Sequence, residues 1–100
     1  MSHDDAVKIA PHMHSVIFEN DKIRVLKVHV KPGDRAEMHS HPENMNYVLK
    51  GGKLRFIKPD GTHVDIELSN GQVTYSSGGS HIAENHSNDT VETVQVEFKE

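Results

Sequence analysis

The sequence predicts an all-β sandwich or barrel, and three observations support that fold class. Apolar residues alternate with polar ones in several segments, as in Val94, Val96 and Phe98. These segments are rich in Val, Ile and Thr, which suit half-buried strands. Turn-forming clusters of Gly, Pro, Asn and Asp separate them at short intervals, which is typical of antiparallel β proteins. No segment has helical periodicity, so we expect no substantial helix.

The alternating segments divide into nine predicted strands, covering residues 15–19, 22–30, 35–41, 45–50, 53–59, 62–68, 72–76, 80–86 and 90–99. Gly51-Gly52 and Asp60-Gly61 are predicted to form tight hairpin turns, because glycine readily adopts a positive φ. Residues 1–14 have no clear period, and we interpret them as an arm that is flexible or exchanged with a partner. Residues 15–100 then form a single barrel domain.

Length and composition exclude several classes of protein. A chain of 100 residues is expected to form one domain, because two smaller ones could not each bury a useful core. The 11 Lys and Arg are scattered against 15 Asp and Glu, so nucleic-acid binding is not expected. No apolar run is long enough for a membrane span and no signal peptide is visible. The chain has no Cys, and we expect a cytoplasmic protein.

The strongest local signal is the pair of histidines in His39-Ser40-His41. Residues i and i+2 of a strand point to the same face, so the two imidazoles leave the strand side by side. Histidine is the commonest metal ligand among side chains, and the chain has nine. The pair therefore predicts the first two ligands of a mononuclear metal site. The alternative is a polar outer face, or two histidines that bond to each other.

Residues 33–52 and 71–85 resemble the two sequence motifs of the cupin superfamily. The first motif is Gly-x5-His-x-His-x(3,4)-Glu-x6-Gly, and the second is Gly-x5-Pro-x-Gly-x2-His-x3-Asn. The resemblance implies a double-stranded β-helix, a jelly-roll cupin barrel of two antiparallel sheets. It also implies that His39, His41 and His81 bind one divalent transition metal per chain, whether Fe, Zn, Ni, Cu or Mn. Three neutral imidazoles can hold such an ion and leave coordination positions open.

The glutamate that the first cupin motif places after the His pair is missing. The nearby candidates for a fourth ligand or near-site residue are Glu43, Asn44 and Met45. Strand parity counted from His41 favours Glu43 or Met45 as the inward residue, and we expect Met45 to fill the position. A turn at Pro42 could reset that parity.

Other polar side chains could take part in chemistry at the site. Glu37 precedes His39 by two residues, so it could face the interior and act as an acid or base, and Tyr47 could present its hydroxyl to the cavity. The alternatives are a rim position for Glu37 and core packing for Tyr47. Arg24 and Arg55 could bind a substrate carboxylate if they point inward; otherwise they lie on solvent-facing sheet positions.

Five further histidines are expected to lie mainly outside the site. His12 and His14 form a same-face pair on the predicted arm and are expected to be solvated. His63 follows a hairpin, and His86 follows His81 by an odd number of residues, which places it on the opposite face of a regular strand. Both are therefore expected on the surface. His29 lies on the strand before the first motif and could line the barrel.

The resemblance implies a small metal-dependent enzyme, most plausibly a dioxygenase-like oxidoreductase acting on a small organic molecule. A lyase or isomerase would fit the same site. A non-catalytic cupin that binds or senses a metal or small ligand is the main alternative, and a barrel with merely structural histidines is another. Small cupins usually dimerise, so we expect a homodimer, with residues 1–20 as the candidate for exchange between subunits.

Overall fold

The structure, a computed structural model, describes residues 5–100 and contains nine strands and one short helix. The prediction of an all-β fold is confirmed, and every predicted strand is present. The elements are α1 (Ala6–Ile9), β1 (His14–Glu19), β2 (Ile23–Val30), β3 (Arg35–His41), β4 (Asn44–Lys50), β5 (Gly52–Ile57), β6 (His63–Leu68), β7 (Val73–Ser76), β8 (Gly79–Glu84) and β9 (Val91–Phe98).

The strands form two antiparallel sheets that enclose a common interior. The five-stranded sheet has the order β1-β2-β9-β4-β7, and the four-stranded sheet has the order β3-β8-β5-β6. This arrangement confirms the predicted jelly-roll barrel, the double-stranded β-helix. Within residues 5–100, no helix has both the length and the apolar character needed to cross a bilayer.

The core lies between the inner faces of the two sheets. Strand β9 alternates buried and half-buried residues along its whole length, as the period of two requires. Val30 and Val91 of the five-stranded sheet belong to the same buried apolar cluster as Leu54 and Ala83 of the four-stranded sheet. These four residues also line the cavity between the two sheets.

The two predicted hairpins have different outcomes. Asp60-Gly61 joins the paired strands β5 and β6, and Gly61 has a φ of 89°, so that prediction is confirmed. The prediction of a hairpin at Gly51-Gly52 is wrong, because β4 and β5 belong to different sheets. The reason for glycine there is a close approach: a Cβ on Gly51 would lie 2.1 Å from the carbonyl oxygen of Leu68.

Residues 5–14, part of the segment 1–14 interpreted above as a flexible or exchanged arm, pack against the chain's own barrel. Asp5 caps the single turn of α1, and its carboxylate accepts a hydrogen bond from the backbone of Val7. Ala6, Ala10 and Met13 are buried. One turn is too short to show a helical period, so this docking could not be predicted from the sequence. Residues 1–4 of the predicted arm lie outside the described residues.

Candidate metal centre

Three histidines converge inside the barrel. His14, His39 and His41 each offer a ring nitrogen, and these three atoms all lie within 4.8 Å of one another. His14 is the first residue of β1, and the other two lie on β3 of the opposite sheet. All three side chains are buried. The arrangement is a ligand set that could hold a metal ion.

A β-bulge in β3 sets which of its side chains face inward. The pairing register between β3 and β8 shifts between Ala36 and His39, and a bulge of this kind re-aims the residues that follow it. His39 and His41 both point into the barrel with ring centroids 4.9 Å apart, as the spacing predicted. Glu37 lies within the bulge, so the parity argument that placed it beside His39 fails.

His81 lies beside this group on the neighbouring strand β8. It is directly opposite His39 in the ladder, and the two ring centroids are 4.9 Å apart. Its ring is also 5.6 Å from that of His41 and 4.6 Å from that of Phe56. The structure therefore brings all three motif histidines together, although His81 is not among the three whose nitrogens lie within 4.8 Å of one another.

His14 is the candidate ligand that the sequence interpretation missed. It was expected to be solvated, but only 4% of it is exposed. It is buried because α1 and Met13 dock on the barrel and carry it to the start of β1, opposite Val28. The sequence held no clear signal of this burial, because the helix that leads to His14 is a single turn, Ala6–Ile9.

The hydrogen bonds of the three rings leave their Nε2 atoms for a ligand. Nδ1 of His14 lies 3.2 Å from the carbonyl oxygen of Ala10, and Nδ1 of His39 lies 2.7 Å from that of Glu37. Nδ1 of His41 lies 2.8 Å from a carboxylate oxygen of Glu97. Each partner is an acceptor, so each Nδ1 donates the hydrogen bond and Nε2 is the ring nitrogen left for a ligand.

One of these nitrogens has no partner among the protein's own groups. Nε2 of His39 is buried and makes no hydrogen bond to the protein. Among residues 5–100, no other buried side-chain nitrogen or oxygen lacks a hydrogen-bond partner. A buried polar atom without a partner is costly. A divalent ion bound between the rings would satisfy this lone pair, so the residues present fit a metal.

The histidines are also in the protonation state that metal binding needs. Burial, with the nearby His41 as the next cause, lowers the pKa of His14 to about 4. Burial likewise lowers the pKa of His81 to about 3, with the His39 ring as the next cause. The pKa of His39 is lowered mainly by burial too. These rings are neutral at pH 7, and neutral imidazole is the form that ligates.

Buried charged side chains form a hydrogen-bonded series that ends at Nδ1 of His41. Glu97 is fully buried, and Nε of Arg24 donates a hydrogen bond of 2.8 Å to its second carboxylate oxygen. Arg24 also donates two hydrogen bonds to Asp5. Burial raises the pKa of Asp5, but the hydrogen bonds from Arg24 and Val7 lower it by more, so its pKa lies below the usual value. Arg24 is thus committed to two carboxylates and is not placed to bind a substrate.

The buried group formed by Asp5, Arg24 and Glu97 changes the charge balance of the site. Two carboxylates and one guanidinium carry a net charge of −1, and that charge reaches the site through the hydrogen bond to His41. Carboxylate–histidine–metal arrangements of this kind orient the ring and raise its basicity. The missing motif glutamate is therefore offset by Glu97, a residue that lies 56 positions after His41.

The histidines line a cavity of about 590 Å³ between the sheets. One wall is apolar and includes Val28, Val48, Leu54 and Phe56. The other is a row of neutral polar side chains on β4 and β9, linked by hydrogen bonds from Gln95 and Asn46 to Asn44, and from Thr93 to Asn46. Among the described residues lining the cavity there is no carboxylate. The site offers a ligand one apolar and one amide-rich surface.

Asn44, and not Met45 or Glu43, faces the site from the start of β4. Asn44 is buried and lines the cavity, whereas Met45 lies on the other face of the strand. Glu43 is exposed and accepts a hydrogen bond from the hydroxyl of Tyr75. The expectation that Met45 fills the position is wrong, because the turn at Pro42 ends β3 and resets the parity before β4 begins.

Both proposed acid–base residues lie outside the cavity. The side chain of Glu37 is 70% exposed and pairs with Arg35. Tyr47 is 46% exposed, on the outer face of the five-stranded sheet. Arg55 forms an ion pair with Asp65 across β5 and β6, as expected for a solvent-facing position.

The other histidines of residues 5–100 lie away from the ligand cluster. His63 and His86 are exposed as predicted, and His86 pairs with Glu84. His12 is exposed, and its ring lies 3.1 Å from the carbonyl oxygen of Arg35. His29 is half-buried and is not among the residues that line the cavity.

Solved structures with the same fold support this architecture. No family model matches the chain, and no curated protein matches it significantly. A cupin domain from Bordetella pertussis has a TM-score of 0.80 at 23% identity, over 88% of this chain and 93% of that one. A double-stranded β-helix protein from Klebsiella pneumoniae has a TM-score of 0.67 at 23% identity, over 84% and 73% of the two chains. A cupin family protein from Methanocaldococcus jannaschii has the same TM-score at 13% identity, over 85% and 77%. The chain has the cupin fold, with a three-histidine cluster that could bind a metal.

Proposed function

We propose that this protein is a small metal-binding cupin that holds one divalent transition metal per chain. His14, His39 and His41 are the central ligands, and His81 is the fourth candidate because its ring lies against two of them. The observation that carries the proposal is the buried, unpartnered Nε2 of His39 at the centre of the cluster. If the histidines were only structural, no group of the protein would satisfy this lone pair.

The donor set favours a borderline transition metal. Neutral imidazoles suit Fe, Zn, Ni and Cu, whereas Mg and Ca prefer oxygen ligands. Mn remains within the range that a nitrogen-rich site accepts. The net charge of −1 behind His41 supports a divalent ion, because it offsets part of the charge that three neutral rings leave uncompensated.

We further propose that the protein is a metal-dependent oxidoreductase of the dioxygenase type, acting on a small organic molecule in the cytoplasm. The metal would supply Lewis-acid activation. The amide row at Asn44, Asn46 and Gln95 would orient a polar group of the substrate, and the apolar wall would exclude water. A lyase or isomerase is less well supported, since the lining has no carboxylate base and Glu37 and Tyr47 lie outside.

A non-catalytic binding or sensor protein is the second candidate. It is favoured by the lack of a carboxylate among the described residues that line the cavity, because binding a metal and a small ligand needs no such group. Oxygen uptake separates the two candidates. Protein loaded with Fe(II) should consume O2 with at least one member of a panel of β-diketones and thiols, and no uptake with any member would favour binding alone.

Metal content tests the site itself. Wild-type protein expressed without chelators should contain about one transition metal ion per chain by elemental analysis. His39→Ala should lose most of it, His81→Ala should lose part, and His63→Ala, at an exposed position, should lose none. Equal metal content in all four proteins would refute the proposed site.

A further inference from the structure

One lysine lies among the side chains that line the cavity. Among the described lining residues, Lys58 is the one lysine or arginine, and there is no aspartate or glutamate. Arg24 and Arg55, the cations that the sequence suggested for binding a substrate carboxylate, are paired with carboxylates of the protein. Lys58 is therefore the permanent positive charge that a ligand in this cavity would meet.

The period of two places Lys58 on the inner face of its sheet. Phe56 of β5 lines the cavity, and Lys58 follows it by two residues. The backbone nitrogen of Lys58 donates a hydrogen bond of 2.8 Å to the carbonyl oxygen of Thr62, so the pairing of the hairpin continues past the end of β5. Residues two apart then share a face. Because Lys58 is also exposed, its side chain lies at the mouth of the cavity.

The register with β8 places Lys58 at the histidine end of the cavity. Ile57 lies opposite Ile82, so one further step along these antiparallel strands brings Lys58 level with His81. Neighbouring strands are about 4.8 Å apart. A short molecule can therefore span the distance from the mouth at Lys58 to the histidines.

Lys58 is not engaged in an ion pair of the protein. Within residues 5–100, the ion pairs formed by lysine involve Lys27 and Lys99 but not Lys58. The nearby Asp60 accepts hydrogen bonds from the backbone nitrogen and the hydroxyl of Thr62, and Lys58 acts on it only through a weaker electrostatic interaction. The ammonium group of Lys58 is thus available to a ligand.

The charge of the metal-loaded site favours a ligand that is an anion. A divalent ion on the histidines and the net charge of −1 on Asp5, Arg24 and Glu97 leave a net charge of +1 at the cavity wall. Lys58 adds a second positive charge at the mouth. A cleft lined by one sign of charge attracts ligands of the opposite sign, so cations are disfavoured here.

The surface beside Lys58 is apolar. Phe56 and Val64 lie opposite each other on β5 and β6, and both line the cavity. Val64 is 37% exposed and Ile66 38%, because β6 is the end strand of the four-stranded sheet. The apolar body of a ligand would cover these side chains and gain affinity from their burial.

We propose that Lys58 is a substrate-binding residue and that the ligand of the cavity is a small organic carboxylate with an apolar body. The carboxylate accepts a charge-assisted hydrogen bond from Nζ of Lys58, and the body packs on Phe56 and Val64 with its far end toward the histidines. One lysine matches one negative charge, which favours a carboxylate over a phosphate dianion. The inference rests on the proposed function, since it takes the cavity as the substrate site. Lys58 selects and positions the substrate.

NMR titration of the metal-free protein tests the role of Lys58. The probes are benzoate and its neutral isostere benzamide, at about pH 8, where histidine is neutral and lysine is charged. Benzoate should bind at least fivefold more tightly than benzamide and should shift the amide signals of Phe56 and Val64. Added salt should weaken the binding of benzoate alone, because the charge of an exposed lysine is screened.

Lys58→Met removes the charge but keeps an unbranched apolar side chain. This variant should bind the two probes with equal affinity, and Lys58→Arg should restore the preference for benzoate. Lys53→Met is the matched control, because Lys53 is an exposed residue of the same strand that does not line the cavity. It should keep the full preference.

Equal affinity of the wild type for the two probes would overturn the inference. So would a preference for benzoate that survives in folded Lys58→Met, or signal shifts confined to residues outside the cavity. Metal content, measured on the same preparations, separates this result from the proposed function. Protein that takes up metal but does not prefer benzoate refutes the role of Lys58 alone, and protein that prefers benzoate but takes up no metal refutes the metal site alone.

Discussion

Replacing Glu97 by Gln should weaken metal binding without removing a ligand. The substitution keeps the shape of the side chain, but it removes the negative charge that accepts a hydrogen bond from Nδ1 of His41 at 2.8 Å. The charge behind the site then changes from −1 to zero. Loss of such an outer partner typically reduces metal affinity 10- to 100-fold, which corresponds to about 1.4 to 3 kcal/mol.

The assay is competition of the metal-free protein with a chromophoric chelator for Zn(II) or Ni(II). Glu92→Gln is the matched control, because it makes the same change on the same strand but at an outer position paired with Lys27. It should change the affinity less than two-fold. Asp5→Asn changes the carboxylate on the far side of Arg24, and its effect should lie between those of the other two variants.

Folding must be separated from binding, since Glu97 also holds Arg24. The thermal transition of each metal-free variant is therefore measured beside its affinity. If Glu97→Gln is folded and binds metal within two-fold of the wild type, the argument that this carboxylate tunes the site is refuted.

Three further predictions concern a ligand, the pH response and a turn. His14→Ala should reduce metal affinity at least tenfold in the same competition assay and His12→Ala less than two-fold; equal effects would remove His14 from the ligand set. Since burial lowers the pKa of His14 to about 4 and that of His81 to about 3, the unfolded state binds more protons below pH 6.5. The unfolding free energy of the metal-free protein should therefore decrease as the pH is lowered, by about 2 kcal/mol at pH 5 for His14 alone. Urea titrations that show equal stability at pH 7 and pH 5 would contradict this. Gly51→Ala should lower the unfolding free energy by about 2 kcal/mol, because its Cβ would lie 2.1 Å from the oxygen of Leu68; an unchanged urea midpoint would show that the backbone yields there.

The strands were predictable because a half-buried sheet imposes a period of two on its sequence. The alternation in β9, from Val91 to Phe98, is complete, and no tertiary information was needed to find it. The pair His39 and His41 was predictable for the same reason, since both lie on one strand with no irregularity between them.

The errors at the site concern which face of its strand a side chain occupies. The bulge between Ala36 and His39 turns Glu37 outward, and the turn at Pro42 makes Asn44, not Met45, the inward residue. A shift of one residue moves a side chain to the opposite face of a sheet. The sequence carries no mark that separates a regular strand from one with a bulge, so these positions could not be assigned from parity alone.

His14 and Glu97 were missed for a different reason, because their roles depend on contacts between distant parts of the chain. His14 reaches the site only when Ala6, Ala10 and Met13 are docked, and Glu97 reaches it only because β9 lies between β2 and β4. The site thus needs both ends of the chain in place, which an unfolded chain does not provide. Metal binding should then be coupled to folding, and a metal that binds only the folded state stabilises it in proportion to the logarithm of its free concentration. Docking of residues 5–14 is therefore as much a part of the metal centre as the His39–His41 pair.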